Sequence, residues 1–236
     1  MDKPLVSRLA LVTGASRGIG AAVAEALARE GAHVVLTART VGGLEEVEDR
    51  IHSAGGMATI APLDLTDGES IAKLGTAICE RWHALDILVL NAAMLGSLTP
   101  VAQIDGKEFN QLLTLNLLAQ QALLATFDDM LRRSEAGRVI GLSSGVAARP
   151  RAYWGAYAAS KAALDTLLLS YADEVQNLAP LKVAIVNPGP TATAMRAKAM
   201  PGEDPASLKT PSVVADAIVD LIKGDFETGC RVDVKG

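Results

Sequence analysis

Tyr157 and Lys161 stand four residues apart in the run Tyr157-Ala158-Ala159-Ser160-Lys161. If that run is helical, the phenol and the ammonium share one face. A free tyrosine titrates near ~10 and is a poor proton donor or acceptor at neutral pH. An ammonium about 4 Å away, at an effective dielectric near ~20, favours the phenolate by up to roughly 4 kcal/mol before solvent losses. Such a pair could pass a proton to or from a substrate oxygen. The same spacing also describes an ordinary helix with one Tyr and one Lys on a half-exposed face. The elements around it must decide.

The chain has 236 residues, a net charge of −5, half its residues hydrophobic and 3% aromatic. That length suits one α/β domain. Small Ala, Leu and Val side chains suit helices packed closely on a buried sheet. The acidic balance, with no basic stretch, argues against a nucleic-acid surface. Cys79 and Cys230 form neither a disulfide framework nor a CxxC pair, which fits a reducing, cytoplasmic compartment. Met1 to Arg8 carries no leader-like pattern, and no apolar run is long enough to span a membrane. His33, His52 and His83 are scattered without ligand spacing, so they are expected at the surface or at helix ends, with no metal site.

Strand and helix patterns alternate at the spacing of βαβ crossovers. Strands are expected at Arg8 to Thr13, His33 to Thr37, Met57 to Pro62, Asp86 to Leu90, Arg138 to Leu142, Leu181 to Val186 and Cys230 to Val234. Helices are expected over Ala21 to Glu30, Gly43 to Ala54, Asp67 to Arg81, Gly106 to Arg133, Trp154 to Leu178, and from Pro211 onward. The passage from Thr191 to Lys209 has no periodicity and reads as a mobile lid that orders on binding, or else as a merely floppy loop. The economical architecture is a single doubly wound domain, 1–236, with a mostly parallel seven-stranded sheet.

In such a sheet, ligands sit beyond the carboxyl ends of the strands. Gly14, Gly18 and Gly20 follow the first strand and open a helix, where glycines let backbone N–H groups approach a pyrophosphate. About 20 residues on, where an acid would hold the ribose 2′-OH of NAD, the sequence reads Thr37-Ala38-Arg39. Arg39 and Arg17 instead offer two guanidiniums to a 2′-phosphate, so NADP(H) is the expected cofactor. Asp64 is placed to take an adenine amino group, or simply to start the turn before Asp67.

Thr13-Gly14-Ala15-Ser16-Arg17-Gly18-Ile19-Gly20, Asp64-Leu65, Asn91-Ala92, Asn116, Ser144, Tyr157-x3-Lys161 and Asn187-Pro188-Gly189-x3-Thr193 together resemble the ordered motif series of the short-chain dehydrogenase/reductase family, over nearly the whole chain. The separation of thirteen residues from Ser144 to Tyr157 also matches. The resemblance implies a Rossmann-type fold and a catalytic set of Ser144, Tyr157, Lys161 and Asn116. Tyr157 would be the general acid/base, and Lys161 would lower its pKa and hold the nicotinamide ribose. Ser144, rather than its neighbour Ser143, would polarise the substrate carbonyl. Asn116 would bend its helix to seat a proton-relay water, unless it is a plain buried amide. The glycine loop with Ser16 and Ile19, then Leu65, Asn91, Ala92, Pro188, Gly189, Thr191 and Thr193, would contact the cofactor. Thr193 would reach the nicotinamide carboxamide.

The sequence departs from the family pattern where Ala93 replaces a usual glycine and where Val232 to Gly236 replaces an aspartate-glycine-glycine end. Tyr153 is a decoy, since Tyr157 and not a lysine stands four residues on. The expected activity is hydride transfer between NADP(H) and a ketone, aldehyde or 3-oxoacyl group. The alternative is a catalytically silent NADP(H)-binding sensor of the same fold. Pocket walls are expected from Met94 to Thr99, Gly145 to Trp154 and Thr191 to Lys209. The family's habit implies a homodimer or homotetramer joined through the two long helices.

Overall fold

The computed structural model describes residues 3–235, so Met1, Asp2 and Gly236, at the ends of the two terminal stretches discussed above, lie outside it. Seven strands form one sheet: β1 (Leu9–Thr13), β2 (His33–Thr37), β3 (Met57–Ile60), β4 (Ile87–Leu90), β5 (Gly137–Leu142), β6 (Leu181–Asn187) and β7 (Cys230–Asp233). Their order is β3-β2-β1-β4-β5-β6-β7. Every neighbouring pair is parallel, so the sheet is wholly rather than mostly parallel. The order reverses between β1 and β4, which opens a crevice beyond their carboxyl ends.

Both faces of the sheet are covered. Successive β1 side chains point to opposite faces, as the pleat requires. Ala10 and Val12 join one core with α1 (Gly18–Arg29), α2 (Val41–Ser53) and α9 (Pro211–Lys223). Leu9 and Leu11 join the other, with α3 (Gly68–Cys79), α5 (Ala119–Arg133) and α7 (Gly155–Val175). Fully buried Leu27, Phe127 and Leu168 lock helices of both layers to the sheet. Each such residue contributes about 1.5–3 kcal/mol of burial.

The expected helix from Gly106 to Arg133 is not uniform. It runs as α4 (Gly106–Leu113), a π turn over Thr114–Leu118, then α5. The wider turn carries Asn116 to complete burial, and π turns of this kind commonly fall at functional sites. The Thr191–Lys209 passage also differs from its expectation. It contains α8 (Ala194–Ala199) and a short 3₁₀ helix, Pro205–Ser207. Thr193 Oγ1 accepts from the Arg196 N–H at 3.2 Å, and the Arg196 guanidinium pairs with Glu203. Elements of three and six residues are too short to show a period, which is why the sequence pattern misses them. The short α6 (Gly145–Ala148) starts directly after β5.

Candidate active site

The glycine loop is shaped by close approach. Gly14 holds φ +64°, and a Cβ there would lie 2.9 Å from Asn91 Nδ2. A Cβ on Gly20 would lie 2.3 Å from the Gly14 carbonyl oxygen, so any larger residue would force β1 and α1 apart. The ends of β1 and β4 are tied together. Asn91 Nδ2 donates to the Thr13 carbonyl at 2.8 Å, and Thr13 Oγ1 accepts from the Asn91 and Ala92 N–H groups at 2.9 and 3.0 Å. Arg17, the N-cap residue of α1, makes no side-chain capping hydrogen bond among the described residues. The helix's first N–H groups and the positive end of its dipole therefore face the crevice, which suits a phosphate group.

Along the cleft from this loop lie Arg17 and Arg39, both lining it. Asp64 lines it too, and its Oδ1 accepts from the Thr66 N–H and Oγ1 at 2.9 and 2.8 Å. Those bonds start the turn before Asp67 and hold the Asp64 carboxyl below its usual range. The turn reading of Asp64 is thus the one these bonds describe. Ala93 is accommodated in the cleft wall without a positive φ.

At the other end, α7 brings Tyr157 and Lys161 to the cleft, and the end of β5 brings Ser144. Lys161 is 2% exposed, and its Nζ donates to the Leu142 carbonyl at 2.7 Å. Burial pushes this lysine down to about 8, opposed by the negative charge of Asp165. Burial pushes the Tyr157 phenol up to about 12, the reverse of the direction expected from a lysine at this spacing. With the ammonium drawn to Leu142, loss of solvent outweighs attraction, and the phenol is held in its proton-carrying form. Ser144 Oγ accepts weakly from the Val146 N–H at 3.5 Å, so it stays free to face a ligand. Ser143 is buried with no partner for its hydroxyl.

Asn116 does not line the cleft. Its Oδ1 accepts from the Met94 N–H at 2.8 Å, and its Nδ2 donates to the Met94 carbonyl and Ser160 Oγ at 2.9 and 3.1 Å. Its side chain therefore ties the loop after β4 to α7. Gly20 also sits behind the wall, acting through its contact with Gly14. Ser16, Gly18, Ile19, Leu65, Asn91, Ala92, Pro188, Gly189, Thr191 and Thr193 all reach the cleft. Thr191 Oγ1 donates to the Pro188 and Gly189 carbonyls, which closes the turn after β6. Thr193 Cγ2 lies 3.6 Å from where a Gly18 Cβ would stand, so this turn folds over the glycine loop.

The cleft is continuous, with a volume of about 2470 Å³. That exceeds an ordinary small-molecule pocket of roughly 300–1,000 Å³ and leaves room for a dinucleotide beside a substrate. The expected walls contribute Met94 to Gly96, residues of Gly145 to Trp154, and Thr191 to Ala199. Sequence reasoning missed α4, whose Lys107, Glu108, Asn110 and Gln111 form a further wall. Their polarity shows that this helix face is not core, yet periodicity alone cannot say that it looks onto a ligand site.

His33 is placed otherwise than expected. It lies half-buried within β2, its Nε2 2.8 Å from Thr59 Oγ1 and its ring edge-on to Trp82, and burial pushes its pKa down. Among the described residues, no three His, Cys, Asp or Glu side chains converge as a metal site, and no helix is long and apolar enough to cross a membrane.

A parallel doubly wound sheet, a glycine loop at its switch point and a Tyr-x3-Lys pair on the same cleft define a class. The family model for short chain dehydrogenases matches residues 8–204, and the chain belongs to that family. The uncharacterized oxidoreductase YciK of Escherichia coli K12 is 36% identical over 236 residues, covering 98% of this chain and 93% of that protein. A structure from Shigella flexneri 2a, described as a short chain dehydrogenase complexed with NADP, superposes with a TM-score of 0.95 at 36% identity, with both chains covered completely. One from Escherichia coli CFT073, complexed with NADPH, gives 0.94 at 36% identity, again with full coverage of both chains.

Proposed function

We propose that this oxidoreductase interconverts a carbonyl group and an alcohol with NADP(H), in a single catalytic domain. The observation that carries the proposal is the convergence of Ser144, Tyr157 and Lys161 on one cleft with an uncapped, glycine-cradled helix terminus. The residues present fit the cofactor. The Gly14–Gly20 contact leaves a backbone-lined hollow, and Arg17 and Arg39 supply guanidiniums where a 2′-phosphate would lie. The reduced nicotinamide would supply the hydride. Two relatives of this fold carry NADP or NADPH.

In reduction, the carbonyl carbon gains the hydride and its oxygen gains the Tyr157 proton, giving the alcohol. A phenol held up to about 12 carries its proton at neutral pH but releases it reluctantly, so the transfer would draw on the charge that builds on the substrate oxygen as the hydride arrives and on the Lys161 ammonium. Ser144 Oγ would donate to the oxygen as charge builds there. Lys161, charged below about 8, would steady the phenolate left behind and hold the ribose hydroxyls. Asn116 would act as a positioning residue through Met94 and Ser160. We also read α8 and its flanks as a substrate lid. The same reading includes a homodimer or homotetramer joined through the two long helices.

The test measures oxidation of NADPH, with NADH in parallel, across ketones, aldehydes, quinones and acyl thioesters, for the wild type and Tyr157→Phe. Turnover that requires NADPH and falls at least about a thousandfold in the variant is expected. Equal turnover by the Phe variant would overturn the mechanism, and failure to bind either nucleotide would overturn the function.

A further inference from the structure

The substrate half of the cleft combines two chemistries. Its floor is an apolar cluster of Leu95, Val146, Tyr157 and Ala199, packed with Trp154, Met195 and Met200. Its rim carries four cations from three separate segments: Lys107 of α4, Arg149 and Arg151 between α6 and α7, and Lys198 of α8. The chain has 27 acidic and 22 basic residues, and among the described residues nine of the basic ones pair with a carboxylate. Among the described residues none of these four does so. Of the carboxylates that line the cleft, Glu108 shares α4 with Lys107 and stays in this half, where the four cations outnumber it. Glu108 accepts from Ser97 Oγ at 3.1 Å, and Asp233 accepts from Asn187 Nδ2 at 2.8 Å. Glu46 and Asp64 belong to the segments that follow β2 and β3.

The arginine segment is also fixed in place. Tyr153 holds φ +72°, a conformation uncommon for an aromatic residue, and its carbonyl accepts from the Thr99 N–H at 3.0 Å. The Trp154 N–H donates to the Arg151 carbonyl at 3.2 Å. A segment held in such a conformation presents Arg149 and Arg151 as part of the wall.

We infer that the substrate is an amphiphilic carbonyl compound whose apolar body lies on the Leu95–Val146–Trp154 floor and whose carboxylate or phosphate end is held by the Lys107, Arg149, Arg151 and Lys198 rim. This deepens the proposed oxidoreductase function and rests on it for the carbonyl, though not for the anion. Guanidiniums match both carboxylate and phosphate oxygens in a bidentate way. The apolar floor beside Tyr157 gives the reacting carbon a dry surface. A neutral ketone would use only the floor.

The chain has two tryptophans, and Trp154 lies in the floor while Trp82 packs against His33 far along the sheet. In a Trp82→Phe background, Trp154 fluorescence is titrated with octanoate, octyl phosphate and octanol. Both anions are expected to bind saturably and at least about tenfold more tightly than octanol, and the tighter of the two names the headgroup. That preference should collapse in Arg149→Ala/Arg151→Ala and in high salt. Equal binding of anion and alcohol, no saturable binding of either anion, or a preference unchanged in the double variant would overturn the inference. Turnover supplies the second arm, with 7-oxooctanoate against 2-octanone. An about tenfold lower KM for the anionic ketone, with kcat similar, is expected. Absence of turnover with both ketones beside selective octanoate binding would count against the oxidoreductase function and leave the anion rim standing.

Discussion

Asp165 lies one helical turn beyond Lys161 on the buried face of α7, and the two side chains are 3% and 2% exposed. Asp165 Oδ2 pairs with Arg231 Nη1 of β7 at 2.5 Å, while Oδ1 is buried with no hydrogen-bond partner. The Lys161 ammonium meets a neutral carbonyl on its other side. Asp165 is therefore the negative charge that offsets the burial of Lys161. Replacing it by Asn keeps the shape but removes the charge, and leaves Arg231 from β7 uncompensated nearby. The Lys161 pKa should fall further below about 8. The alkaline limb of the kcat–pH profile should move to lower pH, with KM for NADPH little changed. An unmoved limb would show that Asp165 serves only the Arg231 pair.

Lys161 itself weakens the fold at neutral pH. Burial pushes it down to about 8 from the ordinary lysine value of 10.5, so the native state binds the proton less well than the unfolded chain does. The destabilisation is complete below about 8 and is relieved as pH rises from there towards 10.5. Lys161→Met removes the buried charge and is expected to raise Tm at pH 7 while abolishing turnover. The stabilisation is on the order of a few kcal/mol at most, and should shrink as pH rises through the same window. Thermal melts of both proteins across pH check the sign.

The two serines after β5 can be separated by experiment. Ser144 lines the cleft with only a long bond to the Val146 N–H, whereas the Ser143 hydroxyl is buried and unpartnered. Ser144→Ala should lower kcat by about a hundredfold or more, as loss of one oxyanion donor does. Ser143→Ala removes an unsatisfied polar atom, so it should leave kcat within about threefold and not lower Tm. Steady-state kinetics and melts of the two variants decide, and the reverse pattern would move the donor role to Ser143.

Asn116 is a third case. Its amide makes three hydrogen bonds, a buried one to Ser160 Oγ and two partly buried ones to the Met94 backbone. Asn116→Ala would leave the Met94 N–H and carbonyl unpaired, at a cost of about 1–3 kcal/mol for each group that stays unpaired. Tm should drop, and kcat should fall more than NADPH affinity does, because Met94 borders the substrate half and not the glycine loop. Equal losses in both would mark Asn116 as a general stabiliser.

The sequence made the glycine loop, Tyr157, Lys161 and the strand positions legible for a physical reason. Buried parallel strands read as unbroken apolar runs such as Leu9 to Val12, and glycines mark close backbone contacts such as Gly14 against Gly20. Three features needed the structure. The π turn around Asn116 leaves the apolar period almost unchanged, so Gly106 to Arg133 reads as one helix. The six residues of α8 are held by the Thr193 cap and the Arg196–Glu203 pair, and neither repeats. The direction of the Tyr157 shift depends on burial and on where the Lys161 ammonium points, and spacing shows neither.

Cofactor choice should rest on Arg17 and Arg39. Both line the cleft at the end where β2 stops, and neither is ion-paired among the described residues. A 2′-phosphate would supply the anion that these guanidiniums lack, while the plain 2′-hydroxyl of NADH would leave them hydrated and uninvolved. Arg39→Ala should therefore weaken NADPH binding by about tenfold, and Arg17→Ala/Arg39→Ala by about a hundredfold, at charge-assisted bond energies of roughly 1.5–3 kcal/mol. NADH affinity should change by less than about twofold. Arg39→Asp should go further, because a carboxylate there repels the phosphate yet accepts from the ribose 2′-OH, so NADH should become the tighter ligand. Fluorescence titration of both nucleotides against the three variants separates these outcomes. Equal losses for NADPH and NADH would mean that the arginines hold the shared pyrophosphate, and the 2′-phosphate would need another partner.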